Sequence, residues 1–189
     1  MTDALLVIDM LNDFVTGKIA AERAEHIIPE LDRLIAAARE TGVPVVYVND
    51  AHRPEDFELD VWGEHAMRGT EGAEVIPELE PGPDDHLFEK RTYDAFYGTG
   101  LDEHLRSLGV SRVILTGLHT NMCIRHASAG ALFRGYHIAV PEDCVEAFSE
   151  EAHRGGLEYL QDVYNAEITS ADELIEGWRA AALAEQASG

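Results

Sequence analysis

A chain of 189 residues, 46% of them hydrophobic, can bury one substantial core but is short for two, and it lacks the roughly 18-residue apolar run of a membrane span. Thirty-six Asp and Glu face 14 Lys and Arg, a formal net charge of -22 that would repel a phosphate backbone and disfavours nucleic acid as a partner. With Lys18 and Lys90 as its only lysines, such a surface suits a protein hydrated in high salt, so a salt-loving source is expected.

No basic segment precedes the first apolar stretch, so residues 4–9 (Ala4-Leu5-Leu6-Val7-Ile8-Asp9) read as a strand and not as a signal peptide, which points to the cytoplasm. A helix is expected over 28–40, with Pro29 in its first turn and Gly42 past its end. Strands follow at 45–49 and 86–89. Between them, segment 50–85 carries several Pro and Gly without sustained periodicity, and loops of that length are usually functional or disordered. A helix over 101–108 takes Thr99 as its expected N-cap and stops at Gly109. Strand 112–117 runs almost directly into a helix over 121–134. A strand at 137–140, a helix over 150–162, a strand at 166–168 and a helix over 171–183 complete the chain, with Ser170 and Glu173 as a capping box. With neither repeat nor linker, this alternation predicts one domain over 1–189. The expected fold is doubly wound α/β, a six-stranded, mostly parallel sheet with helices on both faces.

Ligands of open α/β sheets bind beyond the carboxyl ends of the strands. That rule gathers Asp9, the stretch Asn49-Asp50-Ala51-His52, Lys90 and the stretch Gly117 to Cys123 on one edge. Cys123 falls in the first turn of a helix, where N–H groups and the dipole favour a thiolate and can face an oxyanion. It therefore reads as a nucleophile rather than a core cysteine. Cys144 reads as structural, and both thiols are expected free. Lys90 is either a surface charge or a cation beside the thiolate, and Asp9 either caps a turn or serves as a general base. Asp50 and His52, two apart on an extended segment, could join His65 in holding zinc, iron or manganese, although nine histidines also make chance pairs. His119 and His126 are expected to satisfy themselves by local hydrogen bonds. Phe14 and Trp62 are candidate walls for a flat substrate, with core packing as the alternative.

Three motifs in order carry a resemblance. The segment Leu6-Val7-Ile8-Asp9-Met10-Leu11-Asn12-Asp13-Phe14, the segment Glu89-Lys90-Arg91-Thr92-Tyr93-Asp94-Ala95-Phe96, and the segment Thr116-Gly117-Leu118-His119-Thr120-Asn121-Met122-Cys123 resemble the isochorismatase-like cysteine hydrolases. Within that family the chain is most similar to nicotinamidases. Asp50-x-His52 and His65-Ala66-Met67-Arg68-Gly69-Thr70-Glu71-Gly72 resemble that subset's metal-binding segments.

The resemblance implies a triad of Cys123, Asp9 and Lys90, a cis peptide at Leu118–His119, and an oxyanion hole from the backbone N–H groups of His119 and Cys123. It further implies a divalent metal, zinc foremost, held by Asp50, His52 and His65 and docking the ring nitrogen of the substrate. The expected reaction is hydrolysis of nicotinamide to nicotinic acid and ammonia through a cysteine thioester, in a homo-oligomer. The family's carbamoyl amidohydrolases supply the alternative, another small amide, and a non-catalytic binding protein is a second rival. Isochorismatase itself lacks the cysteine, which argues against ether cleavage. Two positions depart from the family pattern: His119 replaces a small residue, and Asn121 an acidic one.

Overall fold

The structure, a computed structural model, describes residues 1–188, so the expected domain span of 1–189 reaches one residue, Gly189, outside them. Strand β1 (Asp3–Ile8) is buried along its whole length, as a central strand covered on both faces must be. It pairs in parallel with β2 (Val45–Asp50) on one side and β4 (Arg112–Leu118) on the other. Beyond β2 lies β3 (His86–Lys90), and beyond β4 lie β5 (His137–Pro141) and β7 (Glu167–Thr169). The order β3-β2-β1-β4-β5-β7 reverses direction at β1, which places the binding crevice beyond the ends of β1 and β4. A short β6 (Val145–Glu146) pairs with the end of β4, so the sheet has seven strands where six were expected. Two residues are too few to show a period.

The alternation of side chains along β1 divides the interior into two cores. Leu5 and Val7 join Tyr47 and Ile114 against Leu31, Leu34 and Ile35 of α2 (Ile28–Thr41) and Leu174 and Trp178 of α7 (Ala171–Ser188). Leu6 and Ile8 join Val46 and Leu115 against the helices of the other face. These are α4 (Leu101–Ser107), α5 (Cys123–Phe133) and α6 (Glu150–Tyr164). Among the described residues no helix is long and apolar enough to cross a membrane.

Several helix ends follow the sequence. Gly42 closes α2 in the left-handed region at φ 76°, and Ser170 and Glu173 exchange hydrogen bonds of 3.3 and 3.2 Å at the start of α7. Two ends differ. Gly100, not Thr99, is the N-cap of α4, and the Thr99 hydroxyl accepts only a 3.3 Å bond from the Leu101 N–H. Helix α5 begins at Cys123 and not at 121, because the preceding residues form a turn. In it the Met122 N–H donates to the His119 carbonyl at 2.9 Å and the Thr120 N–H to the Glu146 carbonyl at 2.9 Å. Segment 50–85 holds α3 (Leu59–Trp62) and is tied to the carboxyl end of the sheet by bridges between His52 and Met67 and between Leu11 and Val75. The last short helix, α1 (Asn12–Val15), leaves β1 on the same edge.

Candidate active site

The residue after β1, Asp9, turns the chain at φ 56° and points its carboxylate back over the sheet edge. Two backbone bonds fix it: the Asp9 N–H donates to Asn49 Oδ1 at 3.0 Å, and Asp9 Oδ1 accepts from the Asp50 N–H at 2.8 Å. Lys90 ends β3 level with Asp50 on β2, and only a long side chain reaches from this edge strand to β1. Its Nζ lies 2.7 Å from Asp9 Oδ2, 2.6 Å from Asp50 Oδ1 and 3.8 Å from Cys123 Sγ. The surface-charge reading of Lys90 is therefore excluded, since the residue is 1% exposed. Cys123 opens α5, brought in by a strand that passes close to β1: a Cβ on Gly117 would stand 2.0 Å from the Ile8 carbonyl oxygen. The Leu118–His119 peptide is cis, as the motif implies.

One lysine cannot neutralise two carboxylates, and the charges divide accordingly. Burial and the adjacent Asp50 push the Asp9 carboxyl up to about 6, with Lys90 opposing. Burial also acts on Asp50, but Lys90 and His52 outweigh it and hold that carboxyl below the usual range. The Lys90 ammonium resists the same burial because both carboxylates favour its charge. Burial pushes the Cys123 thiol well up, and Lys90 offsets this only in part. The thiolate that the helix N-terminus was expected to favour is thus opposed by burial. Burial therefore favours the protonated thiol, beside the Asp9 carboxylate.

Asp50, His52 and His65 come together as expected, and Glu58 joins them. One possible ligand atom from each lies within 4.8 Å of the others. The His52 ring is oriented by Asp56, 3.2 Å from Nδ1 and itself paired with Arg91, and His65 Nδ1 donates to the Gly63 carbonyl at 2.8 Å. Such outer contacts leave the second ring nitrogen as a ligand. His52 Nε2 and Asp50 Oδ2 are buried without hydrogen-bond partners and stand 3.6 Å apart. Orphaned polar atoms facing each other beside a second imidazole and carboxylate are what a divalent cation would satisfy, so the residues fit the group. Sequence reasoning missed Glu58 because it is one of several acids in Glu55-Asp56-Phe57-Glu58-Leu59-Asp60.

Beside Cys123 lies a narrow cavity of about 20 Å³. Phe14 and Trp62 line it as expected, together with Tyr93, His119 and Phe148. Phe14 also belongs to the core, the alternative expected for it. Phe148 and Tyr93 were not foreseen. His126 Nδ1 donates locally, to the Met122 carbonyl at 2.8 Å, as expected. His119 departs from that expectation: its Nε2 is buried with no partner.

Over residues 3–173 the chain matches a family model described as the isochorismatase domain. Nicotinamidase 3 of Arabidopsis thaliana is 35% identical, over 82% of this chain and 78% of that protein. The structure of N-carbamoylsarcosine amidase from Thermoplasma acidophilum is similar at 42% identity and a TM-score of 0.86, over 91% of this chain and 98% of the other. Pyrazinamidase of Pyrococcus horikoshii, solved in complex with zinc, shares 28% identity at a TM-score of 0.83, over 90% and 99% of the two chains.

Proposed function

This chain belongs to the isochorismatase family, and we propose that it hydrolyses a small aromatic amide, nicotinamide foremost, through a thioester on Cys123. The observation that carries this reading is the buried Lys90, whose Nζ reaches Asp9, Asp50 and Cys123 at once beside a ring-lined cavity. Asp9 takes the proton of Cys123, and the sulfur attacks the carboxamide carbon. The oxyanion forms against the backbone N–H groups of His119 and Cys123. Protonated Asp9 passes its proton to the departing ammonia, then takes one from a water that attacks the thioester. The acid leaves, and the proton returns to sulfur. Lys90 holds Asp9 in place and offsets the negative charge on sulfur.

Asp50, His52, Glu58 and His65 would hold the divalent ion. When bound, it supplies a Lewis-acid anchor for a ring nitrogen of the substrate. Zinc, iron and manganese all suit these donors. A second reading, hydrolysis of a carbamoyl amide, is favoured by the 42% identity to N-carbamoylsarcosine amidase. The orphaned Asp50 Oδ2 and His52 Nε2 weigh against it, because that chemistry needs no such anchor.

The test is ammonia release from nicotinamide and from N-carbamoylsarcosine, in high salt, with and without a chelator. Chelator-sensitive release from nicotinamide supports the first reading. Release from the carbamoyl amide alone, indifferent to chelator, supports the second. Turnover by Cys123→Ala protein would sink both.

A further inference from the structure

A chain of ring contacts borders the cavity. By centroid distance His52 meets His65 at 4.7 Å, His65 meets Phe14 at 5.6 Å, Phe14 meets His119 at 5.9 Å, His119 meets Phe148 at 4.1 Å and Phe148 meets Trp62 at 6.0 Å. The first two rings belong to the metal-ready group. Trp62 Nε1 already donates to the Tyr93 hydroxyl at 2.9 Å. His119 differs from its neighbours: it is 1% exposed, it lines the cavity, and its Nε2 has no partner.

A loosely held loop does not explain this. The His119 carbonyl accepts from the N–H groups of Met122 at 2.9 Å and Ile124 at 3.2 Å, which pins the backbone from which the ring projects. A buried nitrogen without a partner is a cost to the fold, and in native structures it calls for a reason. Burial, with the Lys90 charge nearby, pushes the ring's pKa down to about 4. At neutral pH it is therefore uncharged, with one N–H and one lone pair to offer.

Resting on the amidase reading above, we infer that the His119 side chain determines specificity: its Nε2 shares a hydrogen bond with a second polar atom of the substrate, one not in the carboxamide. The preferred substrate is then an uncharged aromatic amide that carries such an atom, in place of one with a purely apolar flank. An anionic substrate is disfavoured because Asp9, Asp50 and Glu58 already crowd the site against one lysine.

The test pairs uncharged aromatic amides, nicotinamide and pyrazinamide, each with and without a ring hydroxyl. Wild type, His119→Phe and His119→Asn are compared by kcat/KM. Wild type is expected to favour at least one hydroxylated member over its parent by about tenfold or more, the scale of one hydrogen bond in a buried site. His119→Phe loses that preference and His119→Asn keeps part of it; should the Phe variant fail to fold, His119→Leu replaces it. The same ranking in wild type and His119→Phe overturns the inference. If wild type releases ammonia from none of these amides, the amidase reading falls separately. The pairs are then ranked by calorimetric binding to Cys123→Ala and to Cys123→Ala/His119→Phe protein. Rankings that agree between those two proteins, absence of binding included, overturn the inference on its own.

Discussion

Replacing Lys90 with Met removes one charge from a site that depends on it while nearly preserving side-chain length. In the native protein the ammonium lies 2.7 and 2.6 Å from two carboxylates, and all three side chains are 0–1% exposed. Without it, Asp9 and Asp50 face each other with only the His52 ring, 3.6 Å from Asp50, left to offset their charge. Breaking a buried ion pair in this way costs about 3–5 kcal/mol. For a chain of this size each kcal/mol lowers Tm by roughly 2–4 °C, so a fall of roughly 6–20 °C is expected in thermal melts at pH 8.

The sign of the pH dependence provides a second check. In the unfolded chain both carboxyls titrate near the ordinary value of about 3.9. In the folded variant both bind protons more tightly than that. Stability therefore falls as pH rises from about 4 through the raised native values. The deficit relative to wild type is largest at pH 8 and shrinks towards pH 5. Urea denaturation with chelator present, at several pH values, measures it. A deficit below about 1 kcal/mol at pH 8, a size typical of exposed pairs, would refute the argument that Lys90 is a buried keystone. So would a deficit that does not change with pH.

Other expectations concern the metal-ready group and its supports. Burial, and then the Asp50 charge, push the Glu58 carboxyl up to about 7, so a proton and a cation compete for it. Zinc affinity by competition titration should rise with pH towards neutrality, as protons leave Glu58 and the His52 ring, which despite burial Asp50 and Asp56 hold above the ordinary imidazole value. In Glu58→Gln protein the slope should be shallower but still present, because the imidazoles still compete with protons. Asp13 accepts from the Ala66 N–H at 2.8 Å and so fixes the residue next to His65; Asp13→Ala should weaken zinc binding by about 10–100-fold, as loss of an outer-shell contact does. Gly117→Ala would set a Cβ 2.0 Å from the Ile8 carbonyl, at φ 99°, and should yield little folded protein; a normal melt would show that β4 can move away from β1. The acidic surface predicts higher Tm in molar salt than in dilute buffer, and an unchanged Tm would remove the expectation of a salt-loving source.

Much of this site was legible because a parallel sheet puts chemistry where strands end. Asp9, Asp50 and the turn before Cys123 each follow an apolar run, and apolar runs are what a sequence displays most clearly. Their convergence depended only on strand order, which the motifs made specific. What escaped lies where the chain has no period. Glu58 and Tyr93 sit in irregular segments, Phe148 lies just past a two-residue strand, and none is set apart by its neighbours. Two further surprises concern energy rather than position. Lys90 favours a thiolate at Cys123, yet burial outweighs it, and burial is a property of packing that no local spacing reveals. His119 likewise reads as an ordinary loop histidine until the fold shows its carbonyl engaged by Met122 and Ile124 and its ring turned into the cavity. Both surprises fall on the nucleophile turn, where function is best served by groups the fold leaves unsatisfied. A sequence rule built on satisfied groups therefore fails there first.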